Sequence, residues 1–91
     1  MKSFKLTIVD LKKMHYRGNA QACMIKSLDG SVGLEANHEE YMTILASPST
    51  IRVIDDTGRE TKVAITSGMV SFVKNACTIV VEAPIVSPKE R

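Results

Sequence analysis

Apolar residues recur at every second position along this chain, in short bursts separated by turn-forming residues. Phe4, Leu6 and Ile8 alternate with Lys5 and Thr7, which is the spacing of a strand that buries one face, because successive strand side chains point to opposite sides. The pattern predicts a first strand over residues 3–9. A short second strand over 13–16 is expected to end in a turn at Arg17-Gly18-Asn19, since Gly accepts positive φ and Asn tolerates it. Residues 20–28 form the next extended segment, with Cys23 and Ile25 on one face and Met24 and Lys26 on the other. Asp29-Gly30 closes that segment as a tight turn, and Val32-Gly33-Leu34 returns from it.

Residues 35–40 are polar and aperiodic and read as a loop. Extended character resumes over 41–46 and breaks at Ser47-Pro48-Ser49. A β-branched run over 50–54 stops at Asp55-Asp56-Thr57-Gly58, and 62–66 comes back with Val63 and Ile65 facing one way, a second hairpin. Gly68 interrupts, 69–73 is extended, and Lys74-Asn75-Ala76 turns the chain. The continuous β-branched run over 78–81 predicts a strand covered on both faces. No segment shows a 3.6-residue period, and turn signals every ~8–12 residues are what a sandwich or barrel of short strands requires. The sequence therefore predicts an all-β domain over 1–83, followed by a frayed tail over 84–91 that carries Pro84 and Pro88.

Composition narrows the function more than the fold. A chain of 91 residues builds one core and leaves no surplus for a second. Its formal net charge is +2, and the 12 Lys and Arg are interspersed with acids, so there is no basic stripe to track a phosphate backbone and nucleic acid is not an expected partner. No apolar run approaches the ~20 residues that cross a bilayer, and the first residues lead into alternation rather than a signal-peptide block. Direct membrane insertion is not expected, and the chain reads as cytoplasmic.

Catalytic candidates are thin. Cys23 and Cys77 lie in β-branched segments where burial raises a thiol's pKa and blunts it, so a Cys77–His38 nucleophilic pair is disfavoured. Two Cys with His15 and His38 match no local zinc spacing. Asp55-Asp56 and Glu39-Glu40 read as solvated loop charge, and Gly30 and Gly33 open no helix that could cradle phosphate. No catalytic residue, cofactor or metal is expected. Cys23 and Cys77 read as small core residues.

Taken in order, several motifs resemble one family. The opening Phe4-Lys5-Leu6-Thr7-Ile8-Val9, then Gly18, then Leu28-Asp29-Gly30-Ser31-Val32-Gly33-Leu34 with Asn37-His38, are similar to the N-terminal β-sandwich domain of the epsilon subunit of F-type ATP synthases. Pro48 with Ile51-Arg52-Val53, Ser67-Gly68 and Thr78-Ile79-Val80-Val81 continue the likeness in the same order, over about residues 4–83. The resemblance implies a flattened sandwich of two mainly antiparallel sheets. It further implies a non-catalytic rotor subunit at the foot of the central stalk, on the cytoplasmic side of the bacterial inner membrane. That subunit joins the gamma shaft to the c-ring of a proton- or sodium-translocating enzyme.

By the same resemblance, Asp29, Gly30 and Ser31 would face the c-ring, and His38, Glu39 and Met42 would lie near gamma and the ring. Gly68 and Met69 fall where close approach to gamma is expected. Departures from the family pattern are Ser31 where an acid is frequent, Ala36-Asn37 where Pro-Gly is frequent, and Met69 in place of a second glycine. Asn37 can hold the left-handed conformation and so preserve the loop. The family's C-terminal helical hairpin has no counterpart here, so regulation by ATP binding or helix extension is not expected of this chain. The alternative reading is a generic β-sandwich interaction module unrelated to ATP synthase.

Overall fold

The structure is a computed structural model that describes residues 2–82; the expected tail over 84–91 lies outside them. Eight strands follow one another: β1 (Phe4–Val9), β2 (Met14–Ser27), β3 (Gly30–Glu35), β4 (Tyr41–Ile44), β5 (Ser49–Asp55), β6 (Glu60–Ile65), β7 (Gly68–Val73) and β8 (Ala76–Val81). The described residues contain no helix, as the missing 3.6-residue period predicts. The hydrogen-bonded path is β4-β7-β8-β1-β2-β5-β6, with β3 attached to β2. Every pairing is antiparallel except β1 with β8.

One strand makes this path into two layers. The first half of β2 pairs with β1, where Phe4 stands opposite Ala20 and Ile8 opposite Tyr16. Its second half pairs with β3 along one edge and with β5 along the other, so that Cys23 stands between Leu34 and Val53. The first layer is thus β4-β7-β8-β1 with the start of β2, and the second is β3, the end of β2, β5 and β6. Ser27, at the end of β2, bridges Leu45 beyond β4, which lies at the far edge of the first layer. The stretch from Ala20 to Ser27 spans ~23 Å at the usual strand rise, and a five-strand layer is ~19 Å wide at the usual spacing, so β2 is long enough to cross the whole layer.

The core lies between the layers. Alternation places Phe4, Leu6 and Ile8 of β1, Val70 and Phe72 of β7, and Cys77, Ile79 and Val81 of β8 against Cys23, Ile25, Ile51 and Val53, all buried. Phe4 and Phe72 pack as a tilted pair, with ring centroids 5.2 Å apart. Burying each such side chain is worth about 1.5–3 kcal/mol, which sets the strand register, because a one-residue slip would turn the whole set to water.

Two expectations fail, each for a physical reason. The turn at Arg17-Gly18-Asn19 does not form: all three residues lie within β2, paired with Thr7, Leu6 and Lys5. Gly18 keeps an extended backbone and Tyr16 lies alongside it, its hydroxyl donating to the Asn19 carbonyl at 3.2 Å. The cross-strand ladder outweighs the local preference, and β2 instead changes layer at the register shift between Ala20 and Ala22, a bulge. The second failure is β8, which is covered on one face only. Its burial alternates strictly from Ala76 to Val81, because β7 and β1 flank it edge to edge and nothing among the described residues lies over its outer side.

Turns agree more closely with local chemistry. Lys74 and Asn75 both take positive φ (51 and 61) between paired Val73 and Ala76, the two-residue hairpin geometry that suits the right-handed twist of the strands. Asn37 holds φ 65, the left-handed conformation expected of it.

Candidate partner interface

The residues singled out by sequence fall into three places rather than one. The first is the β2–β3 hairpin tip. Ser27, buried at the end of β2, donates its hydroxyl to the Gly30 carbonyl (3.0 Å) and accepts the Asp29 amide (3.1 Å). Gly30 takes φ 132, a conformation open to glycine. These bonds hold Leu28, Asp29, Gly30 and Ser31 out in solvent on a fixed frame. The Ser27–Leu45 bridge ties the frame to the end of β4, and Leu45 donates its amide to Gly68 at 2.9 Å, so the tip and Gly68 share one corner of the molecule.

The second place is the outer face of the first layer. Register aligns Ile44 with Met69, Met69 with Val80 and Val80 with Val9, and Met42 lies two residues before Ile44. Because Val70, Ile79 and Ile8 point inward, these neighbours point outward. Met42, Ile44, Met69 and Val80 are 66%, 56%, 53% and 47% exposed. Gly68 fixes the start of β7 against β8: a Cβ there would stand 2.7 Å from the Val80 carbonyl oxygen. Its close approach is therefore internal, to β8, while Met69 is the side chain that reaches solvent.

The third place is the loop after β3, at the opposite end of β7 from Gly68. His38 donates its amide to Glu35 (3.1 Å), and its Nδ1 is 2.7 Å from the Glu39 carbonyl. A carbonyl only accepts, so Nδ1 carries the proton. The half-buried ring meets Tyr41 and Phe72 edge to face at 5.8 and 5.6 Å, closing that end of the core. Glu39 beside it is exposed. Asn75 stiffens the same end, accepting the Asn37 amide (2.7 Å) and donating to the Ser3 carbonyl (3.1 Å).

Sequence reasoning missed Ile44 and Val80 as surface residues. Alternation from Cys77 contains the signal for Val80, but a run of four β-branched residues hides it. It also missed the loop between β1 and β2. There Asp10 accepts the amides of Lys12 (2.6 Å) and Lys13 (2.8 Å) and pairs with His15 Nε2 at 2.5 Å. The His15 bond first, then the two amides, hold the Asp10 carboxyl down to about 2. That loop presents Leu11, 94% exposed. Cys23 and Cys77 are buried, and burial pushes both thiols up to about 12, which disfavours the thiolate. No group of His, Cys, Asp and Glu among the described residues is arranged to hold a metal.

What the molecule displays is therefore a rigid β body with an apolar outer face, a polar hairpin tip and a stiffened loop. The known proteins that the chain is similar to are consistent in kind. The chain is 29% identical over 82 residues to an ATP synthase epsilon chain of Clostridium novyi, covering 90% of this chain and 62% of that one. It is 26% identical over 84 residues to one of Thioalkalivibrio sulfidiphilus, covering 91% and 59%. It thus spans about three fifths of the length of these relatives. Its fold superposes on a chain of the Euglena gracilis mitochondrial ATP synthase, solved with OSCP, F1 and c-ring, at TM-score 0.85 and 17% identity, covering 99% of this chain and 59% of that one. A chain of the Tetrahymena thermophila mitochondrial ATP synthase, solved as central stalk and c-ring, gives 0.75 at 15% identity, covering 89% and 64%. The family model for the β-sandwich domain of the ATP synthase delta/epsilon chain matches residues 3–87, and the chain accordingly belongs to that family.

Proposed function

We propose that this chain is a non-catalytic central-stalk subunit that couples the gamma subunit to the c-ring of a proton- or sodium-translocating F-type ATP synthase. It would act peripherally on the cytoplasmic side of the bacterial inner membrane. The observation that carries the reading is the aligned apolar row Ile44, Met69 and Val80 on a sheet whose inner face is already fully occupied. Folding gives no reason to expose these residues, and contiguous exposed apolar surface marks a protein contact. In this assignment gamma covers that face, with Met42 and Met69 central to it, and the tip Asp29-Gly30-Ser31 meets the polar loops of the c-ring. His38 and Glu39 border the gamma contact from the far end of the sheet.

A torque-transmitting part needs stiffness and two surfaces facing different neighbours. Both are present: the tip is locked by Ser27, and the face is one continuous ladder of β4, β7, β8 and β1. A pull-down and titration with the cognate gamma subunit tests the assignment. Binding at micromolar concentration or tighter is expected. No affinity even at high micromolar gamma would favour a sandwich that serves some other partner.

A further inference from the structure

We infer that β3 is a docking edge for a second copy of this chain, forming a weak, two-fold symmetric dimer through a continuous sheet. Among the described residues β3 pairs with β2 alone, so one of its edges is open. The hydrogen-bond phase shows which groups lie there. Lys26, opposite Ser31, turns its carbonyl away from β3 and accepts the Ala46 amide at 2.7 Å. Ser27, Ile25 and Cys23 therefore bond to Gly30, Val32 and Leu34, and the backbone groups of Ser31, Gly33 and Glu35 point outward.

Other edges of the sheet are blunted in the usual ways. β4 is 4 residues long and runs into the Leu45 bridge to β2, and β6 carries Glu60 and Lys62. β3 has no such device over its centre. Ser31 and Gly33 are exposed, and a Cβ at Gly33 would meet nothing within 4 Å. An open edge of small residues without lysine or proline is a template for another strand.

Charge and register together select the occupant. An antiparallel copy centred on Gly33 sets Gly33 against Gly33 and Ser31 against Glu35 of the second copy. The Glu35 carbonyl already accepts the His38 amide at 3.1 Å, so the seam rests on the reciprocal Gly33 pair and on the Glu35 amides donating to the Ser31 carbonyls. Lys26 stands beside Ser31 in the same row, so across that short side chain its ammonium faces Glu35 of the second copy. Symmetry repeats the contact. Neither Lys26 nor Glu35 has an ion-pair partner among the described residues. The two glycines leave the middle of the seam open for Met24 from each side. An edge this short buries little surface, which makes the dimer weak. The inference is independent of the stalk assignment, since it concerns the free chain.

Sedimentation velocity on the whole chain from about 10 µM to about 1 mM, the range of a weak contact, tests it. A monomer–dimer equilibrium is expected. Lys26→Glu and Glu35→Lys should each raise the dissociation constant about tenfold, and the double swap Lys26→Glu/Glu35→Lys should restore it. Gly33→Pro, which removes an outward amide and spares those bonded to β2, should abolish the dimer, with circular dichroism reporting that the chain still folds. If that variant unfolds, the charge swaps decide. A monomer throughout the range, or a dimer indifferent to the swaps, overturns the inference. A dimer that behaves as expected in a chain that fails to bind gamma leaves it standing.

Discussion

The two outer faces of this sandwich are made from one ladder and share one core, yet they differ in chemistry. The first layer turns Met42, Ile44, Met69 and Val80 outward among Thr7, Ser71 and Thr78, with its exposed charges, Lys5 and Arg17, on the β1–β2 side away from that row. The second turns out Lys26, Arg52, Glu60 and Lys62, with Arg52 Nε donating to Glu60 at 2.6 Å. Strand propensity does not account for the difference, since both layers are equally rich in strand. Solubility would favour the second face on both sides. The apolar outer positions of the first layer are therefore not required by the pattern that folds the chain, and the proposed gamma contact is what would account for them, with the charged face as the comparison.

The sharpest way to break this contrast is to place charge on each face in turn. Met69→Asp with Val80→Asp should weaken gamma binding by about a hundredfold or more, the scale at which central apolar anchors act. Stability should fall by only about 1 kcal/mol per position, since the side chains are already wet. Thr50→Asp with Lys62→Asp, on the opposite face, should leave gamma binding unchanged. Calorimetric titration and urea melts of both variants read the two quantities separately. Equal loss of binding from both would dissolve the distinction between the faces.

A second comparison uses one substitution at two glycines. Gly68→Ala drives a Cβ to 2.7 Å from the Val80 carbonyl oxygen, with Val81 at 3.1 Å, and a backbone neighbour yields little. A loss of about 1–3 kcal/mol is expected. Gly33→Ala in the second layer meets nothing within 4 Å and should be neutral or stabilising by about 0.4–1 kcal/mol, because it restricts the unfolded chain. Urea midpoints decide. Similar costs at both positions would mean that the close packing of β7 on β8 does not account for Gly68.

Much of this was legible in the sequence because one rule, alternation, governs the described residues, which contain no helix. Phe4, Leu6 and Ile8 announce β1 and its buried face. Asp55-Asp56-Thr57-Gly58 announces the hairpin, where Asp55 accepts the amides of Thr57 and Arg59, each at 2.9 Å. Gly18 misled because a turn preference is local, whereas its pairing with Leu6 depends on residues twelve positions away. The run over 78–81 misled because β-branched residues suit a strand whether one face or both are covered. Of the exposed surface, the tip and Met69 were singled out by motif order as expected contacts, which the gamma and c-ring proposal retains. The apolar row was not, because Ile44, Met69 and Val80 lie far apart in sequence and meet only through the pairings of β7 with β4 and β8.

The smallest expected effect concerns the end of the first layer, where the β1–β2 loop exposes Leu11 two residues beyond Val9, the residue paired with Val80. Asp10 organises this loop, with its side chain and that of His15 each about a tenth exposed. Its carboxyl titrates at about 2 rather than 3.8, so the folded state favours the carboxylate. Below about pH 4 the unfolded chain binds a proton that the folded chain resists, and the stabilisation is lost as pH falls towards about 2. Asp10→Asn lacks this carboxylate and its preferred bonds. It should be less stable than the parent at neutral pH, and the gap should close as both are acidified from pH 4 to 2. Thermal melts across that window measure the gap. A constant gap would show that Asp10 holds the loop by shape alone, leaving the exposed Leu11 without an electrostatic support that the charged second face has no need of.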